Sequence, residues 1–335
     1  MKPVFDEVLL FSPSVKTGGP EALHQLGYQI ARHGGSAKMV YYDFPFSTDG
    51  NVLRCGPGPF PMVEHFAQYE PQVARETPLG PNTLAVFPEP LIKAAENDTA
   101  PFQRALWWLS INNVFVGNPD FLIEEYRQKF FAKRDILQLY QSFYARQLLF
   151  NYNAPQYFPL FDYTDPQFIA RSLTPSENPP IGLRNNNICF FPTKGGALAE
   201  RFVLDSASLR HKVEFVAIRN MTKAEVRDTL FQARIYIDFG DHFGKDRVPR
   251  EAAVAGAIVL LHAMGSANFF DDHPIPREYR FTQDDLASGR LHQKVNEILD
   301  DPERHFAAQR AYRQTILLER EQFETQVRTL FFTGA

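Results

Sequence analysis

Short apolar runs alternate with amphipathic stretches at the start of the chain. Residues 8–11 form the first apolar run, the sequence Thr-Gly-Gly-Pro at 17–20 predicts a turn, and apolar positions then recur at helical spacing over 22–31. Two glycines at 34–35 predict the end of this helix, and 38–42 predict the next strand. A strand, a helix and a second strand in this order form a βαβ unit, so we expect a parallel sheet.

The same alternation continues along the chain in two series. After an excursion rich in proline and glycine at 43–80, the first series predicts strands at 83–87, 104–109, 136–140 and 156–160 and helices around 90–97 and within 119–132 and 142–150. The second predicts strands at 187–191, 213–217, 234–239 and 257–261 and helices at 197–208, from 221–222 onward and at 249–255. Between them, 162–186 contains four prolines and little apolar periodicity, which is typical of a linker. We therefore predict an α/β protein of two Rossmann-like halves, with a cleft between them as the default ligand site.

The size, charge and cysteine content of the chain limit its number of domains, its partners and its cellular location. The 335 residues correspond to roughly two domains of about 150 residues each. A net charge of -4 and a pI near 6.2 argue against a nucleic-acid partner, which needs a dominant basic surface. Cys55 and Cys189 cannot build a disulfide framework or a multi-cysteine zinc site, so we expect a reducing, cytoplasmic location. No apolar run approaches the ~18 residues of a membrane span, and the N-terminus fits a first strand better than a signal peptide.

The segment 235–261 carries the strongest candidate chemistry. A predicted strand ends in a loop with glycines and charges, and a helix opening at Pro249 follows; the notable residues are Gly240, Gly244, Lys245, Asp246, Arg247, Arg250 and Glu251. Free backbone N–H groups at a helix N-terminus, beside Lys and Arg, suit a phosphate group. The carboxylate of Glu251 can accept hydrogen bonds from the hydroxyls of a ribose. A second interpretation stays open, in which Glu251 complements the helix dipole and Lys245, Asp246 and Arg247 form a solvated salt-bridge cluster.

Two glycine turns follow predicted first strands. The sequence Pro-Thr-Lys-Gly-Gly at 192–196 lets the backbone approach a ligand, and Lys194 can meet a diphosphate as a point charge. It matches neither a P-loop nor the G-x-G-x-x-G pattern. The turn at 16–20 occupies the same place in the first half. Each of them taken alone is weak evidence for a ligand, since most such glycine turns are only turns.

The order of these parts resembles the GT-B-fold nucleotide-sugar glycosyltransferases, in particular the large retaining family that builds cell-surface polysaccharides. TGGPEALHQLGYQIARHGGSAKMVYY is similar to the Gly-Gly turn, helix and strand that open the family's first domain. CFFPTKGG is similar to the Lys-Gly turn of its second domain. MTKAEVRDTLFQARIYIDF, followed by HFGKDRVPREAAVAGAIVLL, is similar to its diagnostic helix, strand and glycine loop. A bacterial subgroup with a GKDR-x-PREA loop and a WWLS motif is also similar.

The resemblance implies a fold and an activity. It implies a GT-B architecture of two Rossmann-like domains facing across a cleft: an acceptor-side domain at 1–163, a linker at 164–186, and a donor domain at 187–335 whose last helix packs back on the first domain. It implies transfer of a sugar from a nucleotide-sugar donor to a glycan or lipid-linked acceptor in bacterial surface polysaccharide biosynthesis (capsule, O-antigen or exopolysaccharide).

The resemblance also implies roles for single residues. Glu251 would bind the donor ribose, Lys194 would contact the donor diphosphate, and Arg247 would complete the phosphate site. The remaining residues that it places at the donor are Gly18, Gly19, Gly195, Gly244, Lys245, Asp246 and Arg250. No metal ion or other cofactor is expected if Lys194, Lys245 and Arg247 supply the positive charge, and the chain contains no Asp-x-Asp motif.

One departure from the family keeps two alternatives open. The family's first glutamate, eight residues before the second, falls on Phe243, and the nearest carboxylates, Asp241 and Asp246, are out of register. The chain could therefore be a nucleotide-sugar epimerase of the same fold, or a catalytically silent partner protein. His242 follows a predicted strand where it could touch the donor, but we favour a solvated loop histidine. No histidine shows the spacing of a metal site.

Other features lie in the first half of the chain. Glu89 ends a strand where an acceptor contact could lie, or it caps a loop; Asn112 follows the WWLS motif on the same acceptor side. We interpret the pairs at 107–108 and 130–131 as core rather than as sugar-stacking platforms. Basic residues within 123–150 could give a peripheral contact with an anionic membrane, but we favour a packed helix with a solvated basic side.

Overall fold

The computed structural model describes residues 1–49, 51–97, 99–115 and 117–334. The strands, in chain order, are β1 (Lys2–Pro3), β2 (Glu7–Ser12), β3 (Ala37–Tyr41), β4 (Phe46–Asp49), β5 (Val52–Cys55), β6 (Glu76–Pro78), β7 (Thr83–Pro88), β8 (Gln103–Trp108), β9 (Ile136–Tyr140), β10 (Tyr157–Pro159), β11 (Asn187–Phe190), β12 (Glu214–Ala217), β13 (Ile235–Asp238), β14 (Ile258–His262), β15 (Arg280–Phe281) and β16 (Phe332–Thr333).

The α-helices are α1 (Gly18–Arg32), α2 (Pro61–His65), α3 (Ile92–Ala95), α4 (Glu124–Phe131), α5 (Phe143–Asn151), α6 (Pro166–Ser172), α7 (Gly196–Asp205), α8 (Lys223–Gln232), α9 (Arg247–Val254), α10 (Gln283–Ala287), α11 (Arg290–Asp300), α12 (Pro302–Ala308) and α13 (Arg310–Phe331). Short 3-10 helices lie at Ala67–Tyr69, Glu89–Leu91, Ile111–Phe115, Pro119–Leu122, Ile181–Leu183, Gly265–Asn268 and Arg277–Tyr279.

The chain divides into two compact units. The first comprises Met1–Asp162 together with Arg320–Ala335, and the second comprises Tyr163–Glu319. The long helix α13 contributes residues to both, so the second unit ends within that helix rather than at the chain end. The segment expected as a linker, 164–186, belongs to the second unit. It contains α6, whose Phe168 is only 1% exposed and packs into that unit's hydrophobic core.

The first unit is built on a six-stranded parallel sheet in the order β10-β9-β8-β7-β2-β3. Leu10 in β2 lies opposite Met39 in β3 and Val86 in β7. All six residues of β7 are buried, as a central parallel strand covered on both faces requires. The chain runs from β2 to β3 on one side and returns to β7 on the other, so the loops after β2 and β7 diverge and leave a crevice at the carboxyl edge.

The aromatic pairs of the first unit are core residues, as expected. Trp107 and Trp108 are fully buried, and their indole N–H groups donate to Leu160 O at 2.9 Å and to Gln138 Oε1 at 2.7 Å. The ring of Trp108 stacks on Phe131, which is also fully buried beside Phe130. Neither pair offers a ring face to a sugar.

The proline-rich excursion after β3 forms a small antiparallel sheet of β4, β5 and β6, and the terminal strands β1 and β16 pair antiparallel. On α4, Arg127 bonds to Phe121 O at 2.6 Å, and the Lys129 ammonium pairs with Glu125 at 2.7 Å. This is the arrangement of a packed helix with a solvated basic side. In the described part of the chain, no helix is both long enough and apolar enough to cross a lipid bilayer.

The second unit is built on a five-stranded parallel sheet in the order β12-β11-β13-β14-β15. Ile237 in β13 lies opposite Phe190 in β11 and Leu260 in β14. The chain leaves β11 for β12 on one side and returns to β13 on the other. The strand order therefore reverses between β11 and β13, and the loops after these two strands border the crevice where open α/β sheets bind ligands.

Candidate functional site

Three loops meet at the carboxyl edge of the second sheet, and two glycines allow the contact. Gly195, after β11, has φ +65°, and a Cβ atom there would lie 1.9 Å from the carbonyl oxygen of Phe239 after β13. Gly265, after β14, has φ +50°, and a Cβ atom there would lie 2.1 Å from the carbonyl oxygen of His242. Any other residue would force these loops apart. The loops after β11, β13 and β14 are therefore in contact and form one continuous surface.

Lys194 presents a cation on this surface. Its side chain is 49% exposed, and its Nζ lies 2.8 Å from Oδ1 of Asp246, the residue at the N-cap position of α9. Burial lowers the pKa of Lys194, but the charge of Asp246 raises it by more, so the pKa lies above its ordinary value. Lys194 is therefore an ammonium at neutral pH, held from one side and open to solvent on the other.

His242 lies beneath Asp246 and is not a solvated loop residue, so that expectation was wrong. Its side chain is fully buried, with Nδ1 3.2 Å from Asp246 Oδ2 and Nε2 3.7 Å from Asp238 Oδ1. The backbone adopts φ +49°, and Ser266 N donates to its carbonyl oxygen at 2.8 Å. This left-handed conformation directs the His242 ring toward the protein interior. A sequence pattern does not reveal such a backbone conformation.

The charges around His242 shift two pKa values in opposite directions. Burial lowers the pKa of His242, but the carboxylates of Asp238 and Asp246 raise it, and the net value lies above the ordinary one. Burial raises the pKa of Asp246, but His242 and Lys194 lower it well below its usual range. Asp246 is therefore a carboxylate between the Lys194 ammonium and a histidine whose protonated form it favours.

Asp238 ends β13 and was missed by the sequence analysis. One of its carboxylate oxygens accepts from the hydroxyl of Tyr236 at 2.8 Å, and the other accepts from Gly240 N at 2.9 Å. It is 2% exposed. The sequence did contain a signal for Asp238, because it is an acidic residue at the end of an otherwise apolar strand. A charged side chain in such a buried place requires hydrogen-bond or ionic partners.

Lys245 and Arg250, both predicted at the donor, have side chains that pair with Glu319 in α13. Lys245 Nζ lies 3.1 Å from Glu319 Oε1, and Arg250 Nη1 donates to Glu319 Oε2 at 2.9 Å. Lys245 is 5% exposed and Arg250 is fully buried. Arg250 also donates to the carbonyl oxygens of Asp246 at 3.1 Å and Lys245 at 3.0 Å. Because both cations are buried on Glu319, they do not belong to a solvated salt-bridge cluster. Their assignment to the donor stays a prediction.

Glu319, the acceptor of both cations, lies in α13 and is 1% exposed. Its Oε2 also accepts from the backbone N–H of Thr164 at 3.0 Å and from the Thr164 hydroxyl at 2.9 Å. Nothing in the local sequence marks this glutamate, because its partners lie 69 and 155 positions away.

The remaining predicted donor residues lie at the start of α9. Arg247 is partly buried in the first turn, and Glu251 is 8% exposed one turn later. Gly244 is buried, and its carbonyl oxygen accepts from the Ser266 hydroxyl at 2.7 Å. The structure thus brings Lys194, Gly195 and Asp246 together beside the N-terminus of α9, where free N–H groups favour an anion.

A buried hydrogen-bond chain fixes Gly244 to α13. Because the Ser266 hydroxyl donates to Gly244 O, its oxygen accepts from His273 Nε2 at 3.2 Å, and His273 Nδ1 then accepts from the Tyr312 hydroxyl at 2.8 Å. Burial holds the pKa of His273 well below its ordinary value, consistent with this neutral ring. The chain gives the loop after β13 a rigid support.

His262, at the end of β14, also faces this edge. Its Nδ1 donates to Gly240 O at 3.2 Å, and burial lowers its pKa. Among the described residues, no group of three or more His, Cys, Asp or Glu side chains has the geometry of a metal site.

In the first unit, Glu89 follows β7 at the crevice. Its oxygens accept from Leu109 N and Ser110 N, both at 3.1 Å, and from Asn113 Nδ2 at 3.1 Å. Burial raises its pKa to about 7, although these hydrogen bonds lower it. Glu89 thus caps the turn after β8. Asn112, also predicted on the acceptor side, is partly buried and lies beside Asn113 in the chain. The acceptor-side assignment of Glu89 and Asn112 stays a prediction.

Gly18 and Gly19 begin α1, which follows β2. A Cβ atom on Gly19 would lie 3.6 Å from Leu109 Cδ1, an ordinary contact. The glycine turn and Leu109, whose N–H donates to Glu89, therefore share the carboxyl edge of the first sheet. The assignment of Gly18 and Gly19 to the donor stays a prediction.

No family model and no curated protein matches the sequence. Solved structures match over the whole chain. Sucrose-phosphate synthase from Thermosynechococcus elongatus is 16% identical with a TM-score of 0.56, covering 97% of this chain and 99% of that chain. Anabaena HepE in complex with UDP-glucose is 13% identical with a TM-score of 0.59, covering 96% and 98%. The α,α-trehalose-phosphate synthase (UDP-forming) from Burkholderia vietnamiensis is 11% identical with a TM-score of 0.59, covering 97% and 98%.

These proteins share two parallel Rossmann-like sheets with this chain, and the coverage includes both units. The identities are too low to transfer more than the fold. The predicted GT-B architecture of two Rossmann-like halves is confirmed: the chain has the fold of these solved structures.

Proposed function

We propose that the protein is a glycosyltransferase that uses a nucleoside-diphosphate sugar as its donor. The observation that carries the proposal is the carboxyl edge of the second sheet. There a half-exposed Lys194 ammonium lies beside Gly195 and the N-terminus of α9. That edge is where α/β sheets of this kind bind ligands.

The site suits the leaving group of the reaction. Breaking the bond between sugar and diphosphate moves negative charge onto the phosphate oxygens, so the enzyme must stabilise that charge. Lys194 supplies a fixed cation, and Arg247 supplies a second one in the first turn of α9. The N–H groups of α9 add the positive end of its dipole. With this charge supplied by the protein, we propose that transfer needs no metal ion.

Glu251 suits the ribose. It lies one turn into α9, so its carboxylate follows the phosphate-binding end of the helix and can accept hydrogen bonds from the two ribose hydroxyls. Lys245 and Arg250 support this arrangement from behind through Glu319, and Gly244 does so through Ser266. Their role in the proposal is to keep the loop rigid.

A uridine nucleotide is the proposed carrier. Solved structures of the same fold include complexes described with UDP and with UDP-glucose, and a synthase described as UDP-forming. The acceptor in the proposal is a glycan or a lipid-linked glycan in surface polysaccharide synthesis. This finer role rests on the sequence resemblance over 17–19, 194–195 and 244–256.

The test is a binding panel of UDP, GDP, dTDP and CMP, read as the shift of the thermal unfolding midpoint. A ligand that binds the native state at a hundredfold excess over Kd adds about 2.7 kcal/mol of stability. We expect a shift with UDP that disappears in Lys194→Ala and Glu251→Ala. Lys212→Ala is the matched control, because that lysine lies in the same unit and its ammonium donates to Asn296 Oδ1 at 3.1 Å, away from the residues of the proposed site.

A protein that shifts with none of the four nucleotides would contradict the proposed donor site. If UDP binds, products are analysed after incubation with UDP-sugars, EDTA, and a mixture of glycans and lipid-linked glycans as acceptors. A new glycoside supports the transferase. A new sugar nucleotide without a glycoside would contradict transfer and indicate an epimerase.

A further inference from the structure

His242 is a buried histidine between two carboxylates, at the centre of the proposed donor site. Its fully buried ring cannot touch a ligand, and its backbone is held in an unfavourable left-handed conformation at φ +49°. A non-glycine residue keeps such a conformation only where the surrounding structure requires it. The contacts of Ser266 and Gly265 with its carbonyl oxygen impose the conformation here.

The ring is linked to the exposed cation through one carboxylate. Asp246 Oδ2 lies 3.2 Å from His242 Nδ1, and Asp246 Oδ1 lies 2.8 Å from Lys194 Nζ. Both oxygens of Asp246 are therefore engaged, one on the buried side and one on the exposed side. The position of the carboxylate sets the direction of the lysine.

Three charged side chains face His242, each from a different part of the second unit. Asp238 at the end of β13 and Asp246 at the start of α9 are negative, and Lys194 before α7 is positive. Two neighbouring histidines, His262 at the end of β14 and His273 at a ring-centroid distance of 6.0 Å from His242, both have pKa values lowered by burial.

The proton on His242 decides the balance of these charges. With it, Asp238, Asp246, Lys194 and His242 sum to zero. Without it they sum to minus one, and of these four groups Lys194 alone is a cation beside Asp246 when a diphosphate arrives. Like charges in a partly buried site repel strongly.

We propose that His242 is a positioning residue for the donor: as an imidazolium it anchors Asp246, and through Asp246 it aims the Lys194 ammonium at the diphosphate. The inference rests on the proposed function, since it deepens the account of the same site. On this proposal the buried His242 fixes the direction of the exposed Lys194, although His242 itself does not touch the donor.

The experiment measures the Kd of UDP-glucose by calorimetry from about pH 6 to about pH 8.5, around the ordinary histidine value. UDP-glucose lacks the terminal phosphate that titrates near pH 6, so changes of affinity report on the protein. The variants are His242→Asn, Lys194→Ala and, as matched control, His262→Asn. Asparagine tolerates the left-handed conformation and carries no charge.

In the wild type, we expect affinity to fall as the pH rises through the raised pKa of His242, by up to about tenfold per pH unit. His242→Asn should bind about tenfold more weakly at pH 6, with a flat pH profile, because a charged contact is lost. His262→Asn should keep the wild-type slope. A thermal melt of each variant confirms that it is folded.

Two results would overturn the inference, and they are distinguishable. If UDP-glucose binds, Lys194→Ala weakens it, and His242→Asn keeps the wild-type affinity and pH slope, His242 is only structural and the proposed function stands. If the wild type binds neither UDP-glucose nor any nucleotide of the panel, the donor site itself fails and this inference fails with it.

Discussion

Replacing Gly195 with alanine tests whether the contact between the loops after β11 and β13 holds the candidate site together. An added Cβ would lie 1.9 Å from Phe239 O and 2.4 Å from Phe239 C, at a backbone φ of +65°. Backbone atoms cannot swing aside as the end of a side chain can. One of the two loops must therefore move by more than an ångström before the alanine fits.

Two terms give the magnitude. A left-handed conformation costs alanine about 1–2 kcal/mol relative to glycine. Overpacking of a filled site costs about 1–3 kcal/mol. We expect Gly195→Ala to lower the free energy of unfolding of the second unit by about 2–5 kcal/mol, and to weaken UDP binding because Lys194 is the preceding residue.

The neighbouring glycine is the matched control. A Cβ on Gly196 meets nothing within 4 Å, and the residue begins α7 with a backbone that alanine accepts. Gly196→Ala should leave stability unchanged or raise it by up to about 1 kcal/mol.

The assay uses the position of the tryptophans. The protein contains 2 tryptophans, Trp107 and Trp108, and both lie in the first unit. Tryptophan fluorescence during denaturation therefore follows the first unit, and hydrogen exchange of peptides spanning 187–196 and 235–246 follows the second. Gly195→Ala should speed exchange in those peptides without moving the fluorescence transition. Equal exchange in Gly195→Ala and Gly196→Ala would refute the reasoning.

Two further predictions concern buried charges. Glu319→Gln leaves Lys245 and Arg250 buried beside a neutral amide, so we expect the free energy of unfolding of the second unit, measured with denaturant, to fall by about 3–5 kcal/mol. The control Glu321→Gln, at an exposed position, should change that free energy by less than about 0.5 kcal/mol. Equal effects of the two variants would contradict the prediction. Glu89 has a folded-state pKa raised to about 7 from 4.5, so the folded first unit binds a proton that the unfolded chain releases. Its stability, read by tryptophan fluorescence, should fall by up to about 3 kcal/mol as the pH rises from about 4.5 through 7. Glu89→Gln should remove that fall, and an unchanged pH profile would show that another group causes it.

The fold could be predicted from the sequence because its signals are local. The apolar runs that became β2, β7 and β13 are buried parallel strands, and the glycine turns after β2 and β11 mark the beginnings of α1 and α7. The second unit's start could not be predicted in this way. Prolines at 166, 175, 179 and 180 resemble a linker, but Phe168 between them anchors the segment in the core.

The candidate site was predicted only in part, because orientation is not a local property. Lys245, Asp246 and Arg250 are neighbours in the sequence, yet Asp246 holds Lys194 while the other two turn to Glu319. His242 looked like a loop residue, and its left-handed backbone places it in the interior. The partners that decide these orientations lie on α13 and on the loop after β14, far along the chain.

The division of α13 has a consequence for the order in which the protein is completed during synthesis. The first unit lacks its final segment until Arg320–Ala335 has been made. In that segment Gln326 accepts from Phe161 N at 2.8 Å, Glu324 accepts from Gln29 at 3.1 Å, and β16 pairs with β1. Domains usually fold in the order in which the ribosome releases them. Here the N-terminal unit is the last to be finished, and the second unit is the first whose whole sequence has emerged.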